Sequence, residues 1–348
     1  MMGSLAGWAY WGWASALALA ALGATALLMP PLIGWLRRRA VWDMPNARSS
    51  HSEATPRGGG IAVTGAILVC GAIWLTLVRD VPSSLALLGA AILGLVSWID
   101  DRRPGGLPAG LRLTAQAAAV GVVLVLLPAE ARIADWLPPE YFPLWLERTG
   151  CFLLWLWFTN LFNFMDGING ITGTEMISVG IGLALVQAAA GVVGANAGLA
   201  LMVAGAGAGF LPWNWNRAKI FLGDVGSVPA GFLLGWLLID AALQGFWAAA
   251  LILPLYYWID ASVTLLRRLW RREKIWQAHN SHFYQQGSRK FGAHVVVTRR
   301  IAGLNLALTL LALVAIVGWP LSALAVAAAF LLTVMLCRHF AMPLKAVE

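Results

Sequence analysis

Residues 83–103 read SSLALLGAAILGLVSWIDDRR. An apolar run of near-membrane length closes on two adjacent carboxylates, Asp100 and Asp101, and then on Arg102 and Arg103. A spanning helix needs about 20 apolar residues, somewhat fewer if it stands upright. Charge is costly at membrane depth, so an ionisable residue held there is a functional candidate. Adjacent carboxylates also repel, and they seek a metal, a cation or a shared proton. This stretch predicts a membrane helix whose end does chemistry.

The same reading extends over the chain. Eleven apolar stretches stand out, at roughly 8–35, 59–78, 83–99, 112–128, 149–163, 171–190, 195–212, 226–243, 247–266, 301–318 and 320–337. Of the 348 residues 60% are hydrophobic and 11% charged, against about 25% charged in a soluble domain. With 19 Trp and 37 Gly, the composition is that of an all-α polytopic membrane protein. One integral membrane domain over 1–348 is expected, because the longest hydrophilic stretch, about 267–300, is too short to fold apart. The first stretch lacks a charged segment before it and is followed by Arg37, Arg38 and Arg39, which reads as a retained span. Cys70, Cys151 and Cys337 lie far apart in apolar surroundings and show no metal or disulfide spacing.

Positive charge sets the orientation. With the N-terminus outside, the inner loops collect five Lys/Arg in 37–57, three in 102–112, two in 217–219, nine in 267–300 and two in the tail. Only Arg79, Arg132 and Arg148 fall outside. That bias predicts a cytoplasmic C-terminus and places every polar motif on the cytoplasmic side. The net charge of +8 lies beside spans, so it argues for membrane orientation and against nucleic-acid binding.

Four further motifs share that side. The segment Asn160 to Gly170 (NLFNFMDGING) puts Asn160, Asn163 and Asp166 at i, i+3 spacing on one helical face, followed by a glycine turn. Asn214 and Asn216 precede FLGDVGS, residues 221–227, in which Asp224 sits at a helix start among glycine N–H groups, a combination suited to Mg2+ with a phosphate. Arg267, Arg268, Arg271, Arg272 and Lys274 precede His279 and His282 of HNSHFYQQ, an arrangement able to meet an anionic substrate. The first inner loop runs from Asp43 through His51 to TPRGGG at 55–60. Each has a plain alternative: a solvated helix end, an ordinary turn or the orientation signal itself.

Taken together and in order, the five motifs resemble the polyprenyl-phosphate N-acetylhexosamine-1-phosphate transferases, and the resemblance covers essentially the whole chain. It implies transfer of a sugar-1-phosphate from a UDP-sugar to undecaprenyl phosphate, with release of UMP, in a multi-pass protein of the bacterial inner membrane. It implies Mg2+ (or Mn2+) on Asp224 and Asn163, bridging the donor diphosphate. Phe221 would stack on uracil, with Asn169 and Asn214 at the nucleotide. Asp100 and Asp101 would lie beside the attacking lipid phosphate, with Asp166 in the same cluster. Arg112, His279 and His282 would contact phosphate oxygens.

Relatives that make the peptidoglycan lipid precursor carry a second Asp in the DGxDG turn and adjacent histidines. Here Asn169 and the spaced HNSH look more like enzymes that start O-antigen or other surface glycans. A muramyl-pentapeptide donor is the alternative within the family. A secondary transporter of an anionic solute is the alternative outside it, and would place polar residues mid-membrane in related halves, a pattern not seen here. A homodimer through lipid-facing helices is compatible with the sequence.

Overall fold

The computed structural model describes residues 2–44, 53–103, 105–133, 140–274 and 279–341. Positions 45–51 of the first inner loop lie outside the described residues, whereas 55–60 lie inside them. The fold is nearly all helical: α1 (Met2–Arg38), α2 (Gly60–Val78), α3 (Val81–Arg102), α4 (Ala109–Val125), α5 (Leu144–Phe164), α6 (Ile171–Ala189), α7 (Ala195–Asn214), α8 (Asp224–Ala241), α9 (Trp247–Ile252), α10 (Leu255–Trp270), α11 (Phe283–Phe291), α12 (His294–Ala315) and α13 (Trp319–Ala341). Among the described residues one small sheet pairs β1 (Trp42–Asp43) with β2 (Thr55–Pro56), antiparallel.

Each of the eleven apolar stretches falls on helix, but among the described residues only eight helical runs are long and apolar enough to cross a membrane. The difference has local causes. α4 is a helix of 17 residues, and α5 carries Glu147 and Arg148 near its start. The stretch expected at 247–266 is divided at Leu253–Pro254 into α9 and α10, because proline removes a donor and crowds the preceding turn. The run Asp224–Ile252 is itself interrupted, by a π-helical turn (Ala242–Phe246) in which Gly245 takes φ +89°. The chain is a multi-pass membrane protein.

α8 is the axis of the bundle, with nearly every residue buried. Trp155 of α5 stacks on Phe232 of α8, ring centres 4.8 Å apart, and its indole N–H donates to the Phe232 carbonyl at 2.8 Å. Elsewhere small residues set the packing. A Cβ on Gly205 of α7 would stand 2.2 Å from the Ala18 carbonyl of α1, and one on Gly180 of α6 would stand 2.4 Å from the Ala200 carbonyl of α7. Helices approach this closely in membranes through glycine, where van der Waals contact replaces the missing hydrophobic drive. Outward-facing Leu19, Val69, Leu88, Val125 and Leu324 are exposed, as lipid-facing positions would be. All three cysteines are free and buried.

Candidate active site

Two glycines bring the first pair of motifs together. A Cβ on Gly60, at the start of α2, would lie 2.2 Å from the Gly226 nitrogen in the first turn of α8. The loops ahead of these helices are then zipped by backbone bonds. Phe221 N–H donates to the Pro56 carbonyl at 2.8 Å, Gly58 and Gly59 N–H donate to the Phe221 carbonyl at 3.1 and 2.9 Å, and Gly60 N–H donates to the Leu222 carbonyl at 2.8 Å. TPRGGG and FLGDVGS thus form one rigid unit, with Phe221 half-buried at its centre.

That unit carries Arg57 to the acidic residues. Its Nη2 donates to Asp224 Oδ1 at 2.6 Å and stands 3.0 Å from Asp101 Oδ1, while Nη1 lies 4.0 Å from Asp43 Oδ2. Arg112 Nη1 donates to Asp100 Oδ2 at 2.9 Å and lies 3.6 Å from Asp224 Oδ2. Backbone completes the set: Val225 N–H donates to Asp101 Oδ2 at 3.2 Å and Leu107 N–H donates to Asp100 Oδ1. The Asp100 and Asp101 side chains are 7% and 4% exposed and Asp224 15%, against 36% for Arg57 and 40% for Arg112. The carboxylates form a floor and the guanidiniums face the opening. Burial alone would lower the Arg57 pKa, but Asp224, Asp101, Asp43 and Asp166 outweigh it and raise it, so this cation is permanent.

Gly223 makes the approach possible. It sits at φ +75°, and a Cβ there would lie 3.0 Å from Asp101 Oδ2 and 3.2 Å from Arg57 Cγ. A side chain would have to displace one of them.

Asn163 ends α5 against the same helix: its Oδ1 accepts from the Ser227 hydroxyl at 2.6 Å, one turn beyond Asp224. Asn160 lies a turn deeper, donating to Gln116 Oε1 at 2.7 Å. Asp166, in the turn after α5, accepts from the Thr172 hydroxyl. Burial pushes its carboxyl up to about 6; the Thr172 bond and Arg57 oppose the shift, and Asp224 adds to it. Asn214 bridges two loops, accepting from Gly170 N–H at 2.7 Å and donating to the Ile220 carbonyl at 2.9 Å. Asn169 is held by backbone: its N–H donates to His294 Nδ1 at 3.4 Å and its carbonyl accepts from Thr298 at 2.8 Å.

The histidine loop is tied in through Asp260, a fully buried residue of α10. Its carboxylate accepts from Phe283 and Tyr284 N–H, both at 2.9 Å, and from the Tyr256 hydroxyl at 2.9 Å, and lies 3.2 Å from His282 Nδ1. This carboxylate at the start of α11 satisfies N–H groups that would otherwise be orphaned. His279 stacks on His282, ring centres 4.7 Å apart, with Ser281 Oγ at 2.9 Å from its Nδ1. Burial, aided by His282 and Arg268, lowers the His279 pKa to about 4, so the ring is neutral at pH 7. Tyr284 then reaches across, donating to the Phe164 carbonyl at 3.0 Å; a Cβ on Gly167 would meet its hydroxyl at 2.0 Å. His279 bonds within its own loop, His282 reaches Asp260 of α10, and Tyr284 links the loop to the α5–α6 turn.

Among the described residues no three His, Cys, Asp or Glu side chains form a metal cage. Mg2+ does not require one, because it commonly takes one or two protein oxygens and fills the rest with waters and substrate phosphates. Asp224 and Asn163, on facing turns of α8 and α5, are hard oxygen donors of that type. Asp240, by contrast, lies at the far end of α8, paired with Gln244.

Residues 83–242 match the sequence model of glycosyl transferase family 4. Over that segment the chain is similar to members of that family. The matched segment holds Asp100, Asp101, Arg112, Asn163, Asp166, Asn169, Asn214, Phe221 and Asp224; Arg57 and the histidine loop lie beyond it. Among individual proteins, the chain is 24% identical to a probable undecaprenyl-phosphate N-acetylglucosaminyl 1-phosphate transferase of Bacillus subtilis, over 75% of this chain and 74% of that protein. It is 29% identical to a decaprenyl-phosphate N-acetylglucosaminephosphotransferase of Mycolicibacterium smegmatis, over 62% and 58%. It is 28% identical to a phospho-N-acetylmuramoyl-pentapeptide-transferase of Staphylococcus saprophyticus, over 62% and 72%. The first two relatives are named for N-acetylglucosamine-1-phosphate or N-acetylglucosamine-phosphate transfer with a polyprenyl phosphate, and the third for phospho-N-acetylmuramoyl-pentapeptide transfer.

Proposed function

We propose that this protein transfers an N-acetylhexosamine-1-phosphate from a UDP-sugar to undecaprenyl phosphate at the cytoplasmic face of the bacterial inner membrane, as an opening step of surface-glycan synthesis. One observation carries the reading: Asp100, Asp101 and Asp224, from two separate helix ends, share two guanidiniums, with Asn163 entering from a third. Such a cluster suits a reaction in which both substrates are anionic and meet at a membrane surface. The positive-inside charge distribution supports the cytoplasmic orientation.

In the reaction, an oxygen of the lipid phosphate attacks the β-phosphorus of the donor and the bond to the bridging oxygen breaks. UMP leaves with that oxygen, and the sugar–phosphate bond survives. Asp224 and Asn163 would hold Mg2+, which when bound neutralises the diphosphate and the charge developing on UMP. Arg112 orients Asp100 and offers its remaining donors to phosphate. Asp100 takes the residual proton of the lipid phosphate. Direct attack is the favoured route, and a phospho-sugar on Asp100 is the covalent alternative; inversion at a chiral β-phosphorus would support the former. Phe221, fixed by three backbone bonds, offers a ring for the uracil.

Asn169 in the turn favours an N-acetylhexosamine donor over the muramyl-pentapeptide one. The test is UMP release by purified protein given undecaprenyl phosphate, Mg2+ and a panel of UDP-sugars. Release coupled to a lipid-linked sugar diphosphate supports the proposal. Solute uptake into vesicles without UMP would favour a transporter.

A further inference from the structure

One cation in the site was not singled out by the motifs. Arg57 places a single nitrogen 2.6 Å from Asp224 and 3.0 Å from Asp101, so it bridges the carboxylate on which the metal assignment rests. A divalent ion cannot share that oxygen edge with a guanidinium at full strength, since both are cations competing for the same lone pairs. Yet Arg57 is not locked in. Its side chain is about one-third exposed, and it sits at the opening.

Charge balance points the same way. Asp43, Asp100, Asp101 and Asp224 with Arg57 and Arg112 carry a formal charge of −2. A divalent cation alone would cancel that charge, whereas the same cation arriving with a doubly charged diphosphate leaves the total unchanged. A guanidinium released from Asp224 would find the diphosphate within the same opening, and arginine meets phosphate through paired N–H donors.

We infer that Arg57 is an exchangeable counter-cation: it holds Asp224 and Asp101 while the site lacks donor, and moves onto the donor diphosphate when the divalent ion takes Asp224. The inference rests on the proposed reading of Asp224 as a metal ligand. Its consequence is that metal alone binds weakly and metal with nucleotide sugar binds well. Arg57 is thereby a donor-binding residue that couples the two arrivals.

The experiment is titration of detergent-purified protein with Mn2+ alone, followed by electron paramagnetic resonance, on wild type, R57Q and R57K, with elution as one sharp peak checking the fold. R57Q should bind Mn2+ about tenfold more tightly than wild type, because the competing charge is gone. R57K keeps the charge and should stay near wild type. In the transfer assay, R57Q should raise KM for UDP-N-acetylglucosamine about tenfold, with a smaller change in kcat, as expected for the loss of a charged phosphate contact. Mn2+ affinity in R57Q that is unchanged, weaker or undetectable overturns the inference. D224N in the R57Q background tests the underlying reading separately: Mn2+ binding should disappear, and its persistence would remove the metal from Asp224 whatever R57Q does.

Discussion

Asp166 is the site residue whose protonation is easiest to follow. Burial raises its carboxyl to about 6, so it is a carboxylate above that pH and is protonated below it. Activity that needs the charged form should therefore fall as pH drops through about 6, and D166N should flatten that limb of the kcat/KM profile while lowering the plateau. An acidic limb identical in wild type and D166N would assign the titration elsewhere. At Asp224 the expectation is harsher. Asp224→Ala should abolish transfer at saturating Mg2+, whereas Asn163→Ala should weaken Mg2+ dependence about tenfold, because water can occupy a vacated magnesium position. The carboxylates at these positions are legible in the sequence, since each borders an apolar run where charge is conspicuous. Arg57 is not, because one arginine among five in an inner loop looks like the orientation signal. Only the pairing of its loop with residues 221–222 gives it a role.

At the scale of the element, the site depends on how helix starts are seated. Gly223→Ala would force a side chain into φ +75° and against Asp101 and Arg57; a loss of about a hundredfold in kcat/KM is expected from a misplaced charge cluster. Gly60→Ala, driven into Gly226, should cost about 1–3 kcal/mol through overpacking and lower the unfolding temperature in detergent. Asp260 makes the converse case. Its backbone partners lie 23 and 24 residues away, and a lone Asp inside an apolar helix gives no hint of them. Nor was α11 expected, because FYQQGSRKF is too polar for an apolar scan. Asp260→Ala leaves the α11 N–H groups unpaired and should destabilise the protein by about 3–5 kcal/mol. Limited proteolysis should then cut near residues 279–284 faster than in wild type; unchanged cutting would mean the loop is held by other contacts. The break at Pro254 is hidden in the sequence for a related reason: the apolar run continues through it.

Over the whole molecule, the bundle gathers loops that are distant in sequence at one end. The helical class was plain from composition, because only helices can satisfy backbone throughout such long apolar runs. The number of spans was less plain, since hydropathy measures length and cannot see kinks at Gly245 and Pro254. Orientation follows from charge and can be checked directly. In a background lacking the native cysteines, an impermeant maleimide on intact cells should label Glu130→Cys and spare Arg217→Cys; the reverse pattern would invert the protein. The central claim is that the gathered loops perform metal-dependent sugar-1-phosphate transfer. The most direct measurement is UMP release from UDP-N-acetylglucosamine and related UDP-sugars by wild type and Asp224→Ala, with undecaprenyl phosphate, with and without Mg2+. The account predicts Mg2+-dependent UMP from at least one donor with wild type and none with the variant. Equal release by both proteins, or no release from any donor, would contradict it.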